Sequence, residues 1–233
     1  MDLDDTLCDY NKAMTNAKQS VSAVLQTVGI SPKQFWAKYE AGEPGLFRLF
    51  SQQLLTVADY RYRRFGDALR EFGCEDRTLV QKLNEIYMDE ANIKLELFPD
   101  TIPFLSQLTK ANVKTAVLTN GPSDGQRDKL AALGLEKYFR GVFIGAEIGC
   151  SKPSKEAFAF VLDRFDVSPK DAIMIGDSVE HDIIGADNAG IRSILIDRTS
   201  KYPDYEGPKA TSLMDVLSGD NWIIEEQGKG TPK

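Results

Sequence analysis

The second half of the chain alternates short apolar runs with helical patterns, and this alternation narrows the possible folds more than any other feature. Val113 to Leu118 is an apolar run that stops at Thr119-Asn120-Gly121. A helical pattern from about Asp124 to Leu133 follows, closed by Gly134, and a second run lies at Val142 to Ile144. Ser154 to Phe165 is helical, with Phe158, Val161, Leu162 and Phe165 on its inward face. Ala172 to Ile175 is the next run and stops at Gly176-Asp177; a helix from His181 to Ala189, closed by Gly190, leads to the last, Ser193 to Ile196. Strands separated by helices at this spacing join by right-handed crossovers into a parallel sheet, so the class is α/β. Such sheets bind ligands at the carboxyl ends of their strands. The polar residues that end each run are therefore where chemistry is expected.

The first half reads differently. Met14, Ala17, Val21, Val24, Leu25 and Val28 recur at helical spacing, with Gly29 as the stop. Ser31-Pro32-Lys33-Gln34 has the form of a capping box that opens a second helix, and Gly42-Glu43-Pro44-Gly45 is expected to break it. Thr56 with Asp59 caps a third helix that ends near Gly73, and a fourth runs from about Arg77 to Glu90. Tyr60-Arg61-Tyr62-Arg63-Arg64 has the composition of a basic-aromatic nucleic-acid patch, but its helical setting predicts a solvated helix face.

Composition excludes several classes. The chain of 233 residues carries a formal net charge of −7, which argues against nucleic acid or an anionic membrane as a partner. A single histidine, His181, rules out multi-histidine zinc sites and disfavours a Ser-His-Asp hydrolase; it reads as a solvated helix-start residue. Cys8, Cys74 and Cys150 form no CxxC pair, and neither a signal-peptide pattern nor a bilayer-length apolar run is found. A cytoplasmic setting is expected.

Four polar clusters fall in order: Asp2/Asp4 at the start, then Thr119, Lys152 in Ser151-Lys152-Pro153, and Asp177/Asp182 in Gly176-Asp177-Ser178-Val179-Glu180-His181-Asp182. Carboxylates two apart in an extended segment point the same way, and they stay ionised together only beside a cation or with one protonated. Each cluster alone has an ordinary explanation. Thr119 could finish a strand, Lys152 could be a surface lysine, Asp177 a helix cap and Asp182 first-turn helix charge. The ordered set resembles the haloacid dehalogenase superfamily of hydrolases, with its DxDxT, strand-end Thr or Ser, Lys before a helix, and GDxxxxD. Leu118-Thr119-Asn120-Gly121, Lys152-Pro153 and Gly176-Asp177-Ser178 are most similar to its phosphatases of small phosphorylated metabolites.

The resemblance implies a Rossmann-like parallel sheet with helices on both faces and an inserted all-helical cap. The expected division is a core of residues 1–10 and 95–225, a cap of residues 11–94 and a loose C-terminal tail of residues 226–233. It also implies hydrolysis of a phosphoester, of nucleoside monophosphate or sugar phosphate type, through an aspartyl-phosphate. Asp2 is the expected nucleophile and Asp4 the acid and base; Lys152 is expected to offset charge. Thr119 and Asn120, with Lys152, are expected to bind phosphate. Hard oxygen ligands from Asp2 and Asp177, with the Asp4 carbonyl, suit Mg²⁺, and Asp182 is expected just outside them. Haloalkanoate dehalogenases of the superfamily release a halide, which needs no proton, so an acid at Asp4 favours phosphoesters. Relatives run an apolar strand into the nucleophile, whereas here only Met1 precedes Asp2. The first core strand is therefore expected to be largely missing, with a gap beside Ala172 to Ile175. That feature keeps a catalytically silent binding protein open as an alternative, and a phosphomutase is another.

Overall fold

The structure, a computed structural model, describes residues 1–218. The expected tail, and the end of the expected core from residue 219, lie outside the described residues. Four helices follow the first turn of chain: α1 (Tyr10–Thr27), α2 (Pro32–Ser51), α3 (Val57–Arg70) and α4 (Arg77–Met88). Asp9 caps α1 by accepting the Lys12 N–H, and Ala13, Ala17, Val21 and Leu25 form its buried stripe, four residues apart. Thr56 caps α3 as its sequence predicts, accepting the Asp59 N–H at 3.0 Å.

Three expectations fail here. α2 runs unbroken through Gly42-Glu43-Pro44-Gly45, and the Ser31 side chain makes no capping bond. Proline costs a helix one hydrogen bond. Tyr39, Leu46 and Phe50 nevertheless lie on one buried face either side of it, and their burial outweighs that loss. Tyr60 and Arg64 are not solvated either: they are only 4% and 6% exposed, on the inner face of α3. The Arg64 guanidinium lies 4.6 Å from the centre of the Tyr87 ring, so aromatic faces replace the water expected around it.

A π-helical turn, Asp89–Ile93, leads out of α4. The two connections of the helical block pair with each other: the Asp9 N–H donates to the Glu96 carbonyl, and the Phe98 N–H to that of Leu7. Then come α5 (Thr101–Lys110), a helix not expected from the sequence pattern, β1 (Ala116–Thr119), α6 (Ser123–Ala132), β2 (Gly141–Ile144), α7 (Gly145–Ile148) and α8 (Lys155–Phe165). β3 (Ile173–Gly176), α9 (Gly185–Asn188), β4 (Arg192–Ile196), β5 (Lys209–Ala210) and α10 (Leu213–Ser218) complete the described chain. The helix expected from His181 is a π-helical turn, Val179–Ile184, running into α9.

All strand pairs are parallel, in two groups, β1-β2 and β3-β4-β5. Side chains alternate across the strands. Val117, Ile175, Ile194 and Ile196 pack with Phe104 and Leu105 of α5 and Leu213 of α10, whereas Leu118 and Met174 pack with Phe158 of α8 and Ala186 of α9. Helices therefore cover both faces. Met1 and Asp2 lie between the two groups without forming a strand. The Met1 backbone nitrogen donates to the Ala116 carbonyl, the Met1 carbonyl accepts from Leu118, and the Asp2 N–H donates to Ile175. The break expected beside Ala172 to Ile175 is the gap between β1 and β3, bridged by these bonds.

Candidate active site

Those same bonds fix Asp2 between the carboxyl ends of β1 and β3. Its carboxylate oxygen Oδ1 accepts from Lys152 Nζ at 2.7 Å, and the same ammonium donates to Asp182 Oδ1 at 2.6 Å. The Lys152 side chain is 3% exposed and that of Asp182 is fully buried, so water screens neither. Asn120, next after β1, grips the backbone of Lys152 from both sides. Its Oδ1 accepts the Lys152 N–H at 2.8 Å and its Nδ2 donates to the Lys152 carbonyl at 2.6 Å. The Asn120 side chain therefore holds the lysine in place. Asp182 Oδ2 accepts the Ser178 N–H at 3.0 Å. A Cβ at Gly176 would collide with the Asp182 carboxylate, so this strand end requires glycine.

Asp2, Asp177 and Asp182 bring carboxylate oxygens within 4.8 Å of one another. Burial pushes the Asp2 carboxyl up to about 7, with Lys152 opposing and Asp182 and Asp4 adding to the rise. Burial, followed by repulsion from Asp2 and Asp182, pushes Asp177 up to about 8. Burial works against the charge of Lys152, yet Asp182 and Asp2 outweigh it and hold that lysine above its ordinary value. One lysine is thus set against three carboxylates. Asp182 has both oxygens engaged, while Asp2 and Asp177 each keep one oxygen that accepts no hydrogen bond among the described residues, as does the Asp4 carbonyl. Hard oxygen donors with surplus negative charge fit a divalent cation such as Mg²⁺.

Asp4 sits in a separate grip. Lys129 Nζ donates to both its carboxylate oxygens, at 2.7 and 2.8 Å, and Gln126 Nε2 donates to Oδ2 at 3.1 Å. Gln126 also donates to Thr119 Oγ1 at 2.7 Å, which leaves the Thr119 hydroxyl proton free to point elsewhere. A Cβ at Gly121 would run into the Gln126 amide, so glycine there lets the amide reach. Gln126 and Lys129 are 1% and 3% exposed, and the sequence reading did not single them out. One signal was available: they lie three apart on the face of α6 that also buries Leu130, where apolar side chains are expected.

Above these groups lies a cavity of about 560 Å³, walled below by Asp2, Asp4, Thr119 and Lys152 and above by residues of α1–α4. His181 is half-buried on its wall rather than solvated, and its Nδ1 lies 3.1 Å from Ser178 Oγ. Among the described residues no helix is long and apolar enough to cross a membrane.

A sheet whose strand ends gather an acid pair, a threonine, a buried lysine and a second acid pair defines a class of hydrolase, and comparison with known proteins identifies it. The chain belongs to the haloacid dehalogenase-like hydrolases, whose family model matches residues 1–190. It is 29% identical over 228 residues to the glyceraldehyde 3-phosphate phosphatase of Methanopyrus kandleri, covering 93% of this chain and 94% of that one. It is 34% identical over 181 residues to the phosphoserine phosphatase of Thermus thermophilus, covering 78% and 70%. The magnesium-bound HAD-hydrolase YfnB of Bacillus subtilis superposes with a TM-score of 0.77 at 25% identity, covering 93% of this chain and 95% of that one. Together the family and these relatives support a phosphoric monoester hydrolase.

Proposed function

We propose that this protein hydrolyses a small phosphorylated metabolite, of sugar phosphate or nucleoside monophosphate type, in a Mg²⁺-dependent reaction that passes through an aspartyl-phosphate on Asp2. The observation that carries the reading is the pairing of Asp2 with Lys152, beside an acid, Asp4, held in its own grip by Lys129 and Gln126. The relatives are phosphatases of a triose phosphate and of phosphoserine, both of which are small phosphorylated metabolites.

Phosphate esters resist attack because their oxygens are negative, so the site has to supply positive charge and fixed geometry. One carboxylate oxygen of Asp2 attacks phosphorus while the other is left to a cation; the bond to Asp2 forms as the bond to the leaving oxygen breaks. Asp4 gives that oxygen a proton, then takes one from the water that attacks phosphorus and frees Asp2. Lys152 offsets charge on the phosphoryl group as well as on Asp2, while Asp182 and Asn120 hold it in place. The Thr119 hydroxyl, accepting from Gln126, donates to a phosphoryl oxygen. Asp2, Asp177 and the Asp4 carbonyl would hold Mg²⁺, which screens the carboxylates from the phosphoryl oxygens. The helical block acts as a lid that shuts out bulk water, hinged where the chain enters and leaves it, near residues 8–11 and 95–99.

Halide release gives Asp4 and its grip no task, because a halide leaves without a proton. Phosphate release from an aryl phosphate, measured with Mg²⁺ and again with a chelator, tests the reading. Release that stops with chelator is expected. No release in either condition would leave the silent binding protein, and return of the phosphoryl group to another hydroxyl would mark a mutase.

A further inference from the structure

Arg64 is a buried cation with no counter-ion among the described residues. It is 6% exposed, its single hydrogen bond runs from Nε to Asn84 Oδ1 at 3.0 Å, and its Nη2 is fully buried with no partner. Among the described residues no carboxylate forms an ion pair with it. Two glutamates share its cavity, but both are engaged: Glu40 pairs with Lys18 at 2.7 Å, and Glu43 accepts the Tyr60 hydroxyl. Tyr87, Phe65 and Tyr60 surround the guanidinium, with ring centres 4.6, 5.2 and 5.7 Å away. Aromatic faces offset part of the cost of removing it from water, but they do not satisfy its N–H donors.

The position of this group gives it a direction. Arg64 lines the same cavity as Asp2, Asp4 and Lys152, from the opposite, helical wall. Tyr10 lines the cavity too, and lies over the Lys129 ammonium that holds Asp4, 3.5 Å from ring centre to Nζ. A phosphoester seated on Asp2 and Lys152 therefore sends its other end toward a wall of aromatic side chains with an unpaired guanidinium among them. A neutral tail would leave that guanidinium unpaired. An anion would complete it, and a planar fork suits a carboxylate or a phosphoryl group best.

We infer that Arg64 selects substrates whose second end is anionic, so that the preferred substrate is a phosphomonoester carrying a carboxylate or a second phosphoryl group away from the scissile bond. This deepens the proposed phosphatase reading and rests on it. The test uses phosphoryloxy-alkanoates of increasing chain length, each paired with its neutral amide, and alkane bisphosphates paired with monophosphates. At one length the protein should favour the anionic member by about 10–100-fold in kcat/KM, the size expected of charge-assisted hydrogen bonds to a buried guanidinium. The better of the two anionic series identifies the second group. Arg64→Met should abolish the preference while keeping the amides within about threefold of the parent, the small change expected where no hydrogen bond is lost; retained amide turnover also shows that the fold is intact. Arg64→Lys, which keeps a cation but not the fork, should keep part of the preference.

No preference at any length in the parent, or an equal loss on both members of each pair in Arg64→Met, would overturn the inference. If no ester were hydrolysed, the phosphatase reading would fall instead. Calorimetric binding of the matching carboxyalkyl phosphonates and their amides would then decide the role of Arg64 by the same preference.

Discussion

Replacing Lys152 with methionine keeps most of the unbranched side chain and removes its charged end. Lys152 Nζ holds Asp2 at 2.7 Å and Asp182 at 2.6 Å, and Asp182 is wholly buried. The carboxylates would stay dehydrated after their counter-ion is gone. Leaving a buried charge unpaired costs about 3–5 kcal/mol. A domain of this size loses about 2–4 °C in Tm per kcal/mol, so Lys152→Met should melt roughly 6–20 °C below the parent in chelator. Adding Asp182→Asn removes one of the stranded charges and should recover part of the loss, by a coupling of about 0.5–3 kcal/mol. Lys152 is also the main influence opposing the rise of the Asp2 carboxyl, already at about 7. Its loss should push that carboxyl higher and move any residual turnover to more alkaline pH. Differential scanning calorimetry on the parent, both single variants and the double variant reads the first effect; a pH–rate profile reads the second. Single variants within about 2 °C of the parent, or strictly additive shifts, would refute the picture of one buried ammonium shared between two carboxylates.

Asp4→Asn should slow hydrolysis of alkyl phosphates by about 10²–10⁴-fold and that of aryl phosphates less, because good leaving groups need less protonation; steady-state rates on matched esters check this. Folding raises the Asp2 and Asp177 carboxyls to about 7 and about 8, so without metal both favour the protonated fold, and stability falls as pH rises through those values. Mg²⁺ competes with those protons, so its stabilising effect in a thermal melt should be largest above about pH 8 and fade below about pH 6; an effect that grows on acidification would contradict the assigned carboxylates. Arg61 of α3 forms a bidentate pair with Asp124 of α6, joining the helical block to the sheet side of the cavity. Arg61→Ala should weaken lid closure and raise hydrogen exchange near residues 8–11 and 95–99 in the presence of Mg²⁺ and a phosphate analogue; unchanged exchange there would count against the lid.

The strand runs and their parallel order were legible because apolar residues that end abruptly in Thr119 or Gly176-Asp177 leave few other readings. So were Thr119 and Asp177, which fall at strand ends where such sheets place ligands, and Asp2 and Lys152, which complete the same ordered motif. What escaped depends on tertiary contacts. Proline and glycine in α2 signal a break locally, and only the buried face shared by Tyr39, Leu46 and Phe50 overrides it. A run of tyrosines and arginines reads as solvated unless a partner face is known, and Arg64 turns inward onto Tyr87 while Tyr60 stacks on Phe50. Gln126 and Lys129 belong to the site because α6 carries them to Asp4, across more than a hundred residues of sequence. The grip of Asn120 on Lys152 was not legible, because it depends on how close β1 brings it to the lysine loop.

The central claim is that Asp2 itself carries the phosphoryl group during turnover. Mixing the protein and Mg²⁺ with a radiolabelled phosphoester, quenching in acid within one turnover and mapping the labelled peptide tests this directly. Label is expected on Asp2, absent with chelator and absent in Asp2→Asn. Hydrolysis that proceeds at full rate with no label on Asp2, or with label on another residue, would contradict it.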